Sequence, residues 1–217
     1  AWEYGGLQFR ATFMDLLTDR AANSTAAEFI KARIREIVKD PVTAENLTDI
    51  DHPYSAKRPP IDSGYFETFN RPNVALVNLR RDPIERITAT GIKTRSREFP
   101  LDIIVFATGF DAMTGALREI DIRTTGGATL ADRWAGGPVT YLGLMVAGFP
   151  NMFIITGPGS PGVKTQMIAS IEQHVDWIAD CIGHMGRAGK TTVEPTEAAE
   201  AAWTEVVNAA ARRTVFL

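Results

Sequence analysis

The stretch DIIVFATGFDAMTG, residues 102–115, decides how this chain is organised. Four apolar residues at 103–106 run directly into the small residues ATG at 107–109, and an acid follows at Asp111. A short continuous apolar run that ends in a turn signal is typical of a strand buried on both faces of a parallel sheet. The small residues would let another molecule approach the backbone closely, although they also suit a plain tight turn.

In the stretch FIITGPGSPGVKTQM, residues 153–167, an apolar run again leads into small, glycine-bearing residues. A buried strand is expected at 151–157, a Gly/Pro loop follows, and a long helix is expected at 165–186. In open α/β sheets, ligands bind beyond the carboxyl ends of the strands, and a helix start offers free N–H groups to an anion. Gly157, Gly159 and Gly162 would let a flat ring approach the backbone, or they merely turn a corner.

The rest of the chain alternates helical and strand patterns. Residues 25–39 place five apolar residues at helical spacing, with Thr25 and Glu28 as a capping box, so residues 1–50 are expected to form a helical layer. Further predictions are a strand at 73–78, a hairpin at 84–96 that turns near Thr90-Gly91, a loop with short strands at 111–140, and a last helix at 196–212. The predicted fold class is α/β, with partial doubly wound, Rossmann-like dinucleotide-binding domains and an N-terminal helical segment.

Composition excludes several classes of function. The 23 basic and 26 acidic residues give a net charge of −3, which argues against a nucleic-acid partner. No run of 18 apolar residues is present, so no membrane span is expected. The single cysteine, Cys181, excludes an internal disulfide and a CxxC metal site, and a cytoplasmic location is expected. The three histidines are not at metal-ligand spacing, so no metal is expected.

Two cations stand side by side in the sequence AKRPP, residues 56–60. Arg58 carries a planar guanidinium that suits anions, and Lys57 carries a mobile point charge that suits phosphate. The alternative is a solvated surface pair.

These stretches together resemble the Baeyer–Villiger monooxygenases. The resemblance is carried by KRPPIDSGYFETFNRPNVALV (57–77), LDIIVFATGFDAMTGAL (101–117), YLGLMVAGFPNMFIITGPGSP (141–161) and SIEQHVDWI (170–178). It extends over nearly all of residues 10–217. The family implies a helical insertion at 1–52, a returning part of the NADP-binding domain at 53–106, and a returning part of the FAD-binding domain at 107–217.

The same resemblance implies that the chain is a middle-to-late segment. The parts of the family that carry its FAD fingerprint, its NADP fingerprint and its Phe-Gly and His-Trp fingerprint have no counterpart in these 217 residues. The implied partner is therefore the N-terminal half of the same enzyme, and the isolated chain is expected to be inactive.

The resemblance also implies roles for individual residues. Arg58 would be catalytic, stabilising negative charge on the oxygenated flavin and on the intermediate that follows, and Lys57 would contact the NADPH 2′-phosphate. The ATG turn would be the crossing from the NADP domain to the FAD domain. The implied cofactor-binding residues are Lys57, Thr108, Gly109, Asp111, Gly157, Gly159, Gln166 and Met167. The implied substrate-pocket residues are Gly162, Val163, Lys164 and Thr165, where Lys164 is charged although relatives commonly have an apolar residue.

The implied activity uses FAD, NADPH and O₂ to insert one oxygen atom next to a ketone carbonyl, which gives an ester or a lactone. Two alternatives stay open. One is an N- or S-oxidising flavin-containing monooxygenase, and the other is a non-catalytic folded fragment. The Lys-Arg pair and the helical insertion favour the Baeyer–Villiger interpretation over the first alternative.

Overall fold

The computed structural model describes residue 2, residues 8–160 and residues 166–216. The chain divides into two compact units, residues 1–108 with 213–217, and residues 109–212. Each unit has its own core, and the assignment of NADP and FAD domains to parts of the chain stays a prediction. Within the described ranges, no helix has both the length and the apolar character needed to cross a membrane.

The first unit begins with helices, as predicted. They are α1 (Gln8–Thr12), α2 (Arg20–Ile37), α3 (Pro41–Thr48) and the short α4 (Tyr65–Thr68). The capping prediction is wrong, because α2 begins five residues before Thr25 and its N-cap is Asp19. The Asp19 carboxylate accepts a hydrogen bond from the Ala22 N–H at 2.7 Å. The Thr25 hydroxyl instead donates to the Ala21 carbonyl inside the helix.

Apolar residues of these helices and of the turns beside them form two small buried clusters. The first contains Phe9, Leu16 and Ala26, and Tyr54 packs against it. The second contains Ile34, Val38 and Ala44. Burial of this apolar surface, rather than helix propensity, stabilises short helices in a protein.

The sheet of the first unit has three antiparallel strands in the order β1 (Ile84–Thr88), β2 (Gly91–Thr94) and β3 (Glu98–Pro100). The predicted hairpin is confirmed. Gly91 is required there, because a Cβ atom would lie 1.9 Å from the Phe99 carbonyl oxygen. Asp82 accepts hydrogen bonds from the side chains of Ser96 and Thr94, and these bonds lower the pKa of its carboxyl group.

Three predicted strands are wrong. Residues 73–78, 101–108 and 151–157 form no strand, and within 101–108 Ile103 and Val105 are each 80% exposed. A strand needs a continuous ladder of hydrogen bonds to a neighbouring strand. In the described residues the last two of these segments have only scattered main-chain bonds, such as those from the Leu101 N–H to the Thr90 carbonyl and from the Ile154 N–H to the Leu144 carbonyl. The mixed class of helix and sheet is confirmed, whereas the doubly wound parallel sheet is not formed by the described residues.

The second unit contains α5 (Gly115–Glu119), α6 (Leu130–Arg133), α7 (Met167–Arg187) and α8 (Glu197–Ala211). Its core consists of Leu130, Trp134, Val146, Phe149 and Ile154. The two long helices lie close to their predicted positions. Residues 111–140 differ from the prediction, because they form two short helices and one isolated bridge between Arg123 and Thr129.

Helix α7 presents an unexpected face to its unit. Its buried residues are the polar Ser170 and His174, whereas its apolar stripe is exposed to between 38% and 63%. The exposed stripe consists of Ile168, Ile171, Val175 and Ile182. Exposed apolar stripes of this length mark surfaces that another segment covers.

Candidate functional site

The cation pair Lys57-Arg58 lies in an irregular segment between α3 and α4. Both residues are exposed, and within the described part of the chain neither side chain forms a hydrogen bond or an ion pair. Some other cations in the first unit do form ion pairs, since Lys31 Nζ lies 2.9 Å from Glu28 Oε1 and Arg80 Nη2 lies 2.7 Å from Asp51 Oδ2. The pair is therefore free to bind an anion.

The segment that leads into this pair is partly buried. Ser55 is 4% exposed, and its hydroxyl accepts a hydrogen bond from Arg10 Nη1 at 3.2 Å. The Tyr54 ring packs edge-on against Phe9 at 5.9 Å between centroids, and burial raises the pKa of its phenol. The cations thus stand directly after an anchored stretch of chain.

The turn at 107–111 is open to solvent. Thr108, Gly109 and Asp111 are all exposed, and Gly109 has a φ of +86° with no atom within 4 Å of the place where a Cβ would stand. The Asp111 carbonyl accepts a hydrogen bond from the Gly115 N–H at 3.2 Å, which leads the chain into α5. The glycine therefore serves the left-handed turn, and its bare backbone is accessible to another molecule.

The glycines at 157 and 159 have reasons within the protein. A Cβ on Gly157 would lie 2.5 Å from the Gly143 carbonyl oxygen, and the Gly157 N–H donates to that oxygen at 3.1 Å. Gly159 has a φ of +80°, and the neighbouring Pro158 carbonyl accepts a hydrogen bond from the Thr140 hydroxyl at 2.7 Å. The plain structural role thus accounts for both glycines without a ligand.

Gly157, Gly159 and Gly162 also have the G-x-G-x-x-G spacing of a dinucleotide-binding turn. That pattern binds a pyrophosphate when it follows a strand directly. Residues 152–156 form no strand in the structure, so the spacing does not by itself identify a phosphate site here.

Gln166 and Met167 lie at the start of α7 and are exposed. Gln166 is the N-cap, but its side chain makes no capping hydrogen bond, and the first turn of the helix contains no acid. The four predicted substrate-pocket residues, Gly162, Val163, Lys164 and Thr165, lie outside the described residues.

His174, which is not at metal-ligand spacing from another histidine, makes a specific contact in the second unit. It is 9% exposed, and its Nδ1 accepts a hydrogen bond from the Thr156 N–H at 3.0 Å. Thr156 has a φ of +54°, which is unfavourable for a β-branched residue. The histidine therefore holds a strained residue next to the glycine loop, and no local signal in the sequence indicated this contact.

The predicted residues are divided between the two units. Lys57, Arg58 and Thr108 belong to the first unit, and the remaining described cofactor residues belong to the second. Within the second unit, Gly157 and Gly159 share one loop, and Gln166 and Met167 begin α7. Across residues 2, 8–160 and 166–216, no group of three or more His, Cys, Asp or Glu side chains could hold a metal ion.

Comparison with known proteins finds relatives that are named as monooxygenases and a similar crystal structure that contains FAD and NADP. It is 46% identical over 220 residues to a Baeyer–Villiger monooxygenase from Pseudooceanicola batsensis, with 100% of this chain and 39% of the relative covered. It is 44% identical over 218 residues to a phenazine N-monooxygenase from Lysobacter antibioticus, with 99% and 40% covered. A crystal structure of OTEMO in complex with FAD and NADP superposes with a TM-score of 0.88 at 46% identity, covering 94% of this chain and 38% of that one.

The chain therefore spans about two fifths of the length of the curated relatives it matches. No protein-family model matches it.

Proposed function

Since the chain is homologous along its length to a segment of the Baeyer–Villiger monooxygenases, we propose that it is part of an FAD- and NADPH-dependent enzyme that oxidises a ketone. The proposed reaction inserts one oxygen atom of O₂ next to the carbonyl group and gives an ester or a lactone. The substrate class and the activity belong to the whole protein, of which this chain supplies Lys57 and Arg58.

The observation that carries the proposal is the unneutralised cation pair. Lys57 and Arg58 are exposed, adjacent, and without an internal partner in the described residues. A protein gains little stability from two such side chains, whereas a phosphate or a developing oxyanion is stabilised by them. The stretch before them is partly buried and hydrogen-bonded, so the main chain that carries the two charged side chains has a fixed position at the surface.

The positive charges of Lys57 and Arg58 suit the phosphate groups of a pyridine nucleotide. Lys57 would bind the 2′-phosphate of NADPH, and Arg58 would face the nicotinamide end and the oxygen atoms that become negative during the reaction. FAD supplies the activation of oxygen when it is bound. The exposed turn at Thr108, Gly109 and Asp111 and the start of α7 are the proposed contacts on the flavin side.

The exposed apolar segments support a larger parent protein. Ile103, Val105 and Phe106 are between 69% and 80% exposed, and α7 exposes its own apolar stripe. Such surface is stable only when other chain covers it. We propose that the remaining part of the same enzyme supplies the missing strands beside residues 101–108 and 151–157, in a cytoplasmic enzyme.

Replacing Arg58 tests the catalytic role in the full-length protein. Arg58→Ala should still allow NADPH to reduce the flavin, but ester formation should fall by about 10²–10³-fold, because one charge-stabilising group is lost. Stopped-flow absorbance measures the reduction, and gas chromatography measures the ester. Arg81→Ala is the matched control, since Arg81 is an exposed arginine of the same unit that has no proposed role. Normal ester formation by Arg58→Ala would contradict the assignment.

The same assay decides between the two classes of oxidation. Sequence similarity alone hardly distinguishes ketone oxidation from N-oxidation, because relatives named for either reaction have nearly equal identity to this chain. The full-length protein is given a cyclic ketone, a thioether and an aromatic amine in separate reactions. Formation of ester or lactone supports the proposal, whereas sulfoxide or N-oxide without any ester would replace it with the alternative.

A further inference from the structure

We propose that Asn23 is a positioning residue for the cation pair, which holds the main chain before Lys57 so that the pair meets the cofactor phosphate in a fixed place. The inference deepens the proposed function and rests on it, because it concerns the same two cations. It assigns a role to a residue in α2 that contacts neither cation directly.

The side-chain amide of Asn23 makes three hydrogen bonds to main-chain groups, and these bonds are called the clamp below. The residue is 3% exposed and lies in the first turns of α2. Its Nδ2 donates to the Leu16 carbonyl at 2.8 Å and to the Tyr54 carbonyl at 3.0 Å. Its Oδ1 accepts from the Tyr54 N–H at 2.9 Å. All three bonds go to main-chain groups, so the clamp fixes backbone rather than side chains.

Asn23 therefore forms hydrogen bonds with both the N–H and the carbonyl group of Tyr54. Two residues that are paired across an antiparallel sheet also exchange one donated and one accepted bond in this way. The contact joins residues 31 positions apart in the sequence. Buried polar contacts of this kind, when every bond is made, specify one arrangement of the chain.

Ser55, the residue after Tyr54, is held by a further contact. Ser55 has a φ of +70°, which is unfavourable for a residue with a Cβ, and it persists only when neighbouring contacts hold it. The contact from Arg10 Nη1 to its hydroxyl is one of these, and Arg10 is itself buried. Two independent contacts thus hold the two consecutive residues that precede Ala56.

Only Ala56 separates this anchored stretch from Lys57, and Pro59 and Pro60 restrict the chain on the other side. Because the two cations have no internal partners in the described residues, their side chains are not fixed by contacts of their own. Their position is therefore set by the main chain, and the clamp at Tyr54 sets the main chain.

The test uses cofactor preference in the full-length protein, measured as the ratio of kcat/KM for NADPH to that for NADH. Lys57→Ala should lower the ratio roughly 10- to 100-fold, because a charge-assisted hydrogen bond to the 2′-phosphate is lost. Asn23→Ala should lower it in the same direction by about tenfold, since a displacement of about 1 Å far from the chemistry can cost up to about 10²-fold. The double variant should be no lower than Lys57→Ala alone, because Asn23 acts through Lys57.

Asn70→Ala is the matched control. The Asn70 side chain makes the same type of clamp in the same unit, accepting from the Lys39 N–H and donating to the Ile37 carbonyl, each at 2.8 Å. It holds the end of α2 rather than the segment before Lys57. The control should leave the NADPH to NADH ratio unchanged even where it lowers the melting temperature.

Asn23→Ser keeps the test decisive if Asn23→Ala does not fold. The serine hydroxyl is neutral and can make one hydrogen bond but cannot replace all three bonds of the amide, so an intermediate fall in the ratio is expected. The inference is wrong if Lys57→Ala shifts the ratio and neither Asn23 variant does, or if Asn70→Ala shifts it equally. If Lys57→Ala leaves the ratio unchanged, the proposed role of Lys57 is wrong as well. The Lys57 variant thus distinguishes a failure of the proposed function from a failure of the Asn23 inference alone.

Discussion

At the scale of single residues, the glycine loop shows how one sequence pattern can serve packing or ligand binding. Gly157 has the position expected of a residue that lets a flavin approach the backbone. In the structure it is the Gly143 carbonyl oxygen that occupies the space of a Cβ, at 2.5 Å. The requirement for glycine at this position therefore comes from within the second unit, and a cofactor role has to be shown separately.

The variant Gly157→Ala should lower the free energy of unfolding by about 1–3 kcal/mol, because an inserted methyl group would have to displace the backbone at residue 143. Denaturant unfolding of the full-length protein measures this change. Gly126→Ala is the control in the same unit, since the nearest atom to its Cβ would be the Thr124 hydroxyl oxygen at 3.7 Å. Its stability should change by less than about 0.5 kcal/mol. Equal stability of the two variants would contradict the packing explanation.

At the scale of elements, one carboxylate fastens α8 to the second unit. Glu200 is 3% exposed, and its two oxygens have different partners. One accepts from Arg133 Nη2 at 2.5 Å, which joins α8 to α6. The other accepts from the Ala147 N–H at 3.0 Å, which joins α8 to the core segment at 144–149. A helix rich in alanine buries little apolar surface, so such a contact matters for its docking.

Removing this carboxylate should detach the helix in part. Glu200→Ala should lower the free energy of unfolding by about 3 kcal/mol, because the Ala147 N–H and the Arg133 guanidinium both lose their partner. Glu200→Gln should cost less, since the amide oxygen can still accept one bond. Circular dichroism during thermal unfolding measures the order of stability. Glu197→Ala, an exposed acid in the same helix, is the control and should stay within about 0.5 kcal/mol. The role of Glu200 is refuted if both alanine variants unfold at the same temperature.

At the scale of the whole molecule, the exposed apolar segments decide what the isolated chain can do. Ile103, Val105 and Phe106 on one segment and the stripe on α7 are surfaces that a complete domain would bury. The chain spans about two fifths of the length of its curated relatives. Dinucleotides are held mainly through a pyrophosphate at a glycine-rich turn that directly follows a strand, and the described residues form no such strand-turn-helix unit.

The isolated chain of 217 residues should therefore be colourless after purification and should not oxidise NADPH in the presence of a ketone. The absorbance spectrum of the protein measures bound flavin, and NADPH absorbance measures turnover. Full-length protein prepared in the same way is the control and should carry flavin. A yellow preparation of the isolated chain, with close to one flavin per chain, would show that the rest of the protein is dispensable for binding.

The sequence by itself determined those elements whose cause is local. The hairpin at 84–96 and the helices α7 and α8 follow from turn residues and from apolar spacing within one segment, and the resemblance to the monooxygenases follows from motifs that are read in order along the chain. Only the tertiary structure decided what depends on distant partners. The run at 101–108 forms no strand because no strand of the described residues lies beside it to form a hydrogen-bond ladder, and Gly157 is required because of Gly143. No sequence signal marks Asn23, because its partner Tyr54 lies 31 residues away and hydrogen-bonding partners at that separation leave no periodic pattern.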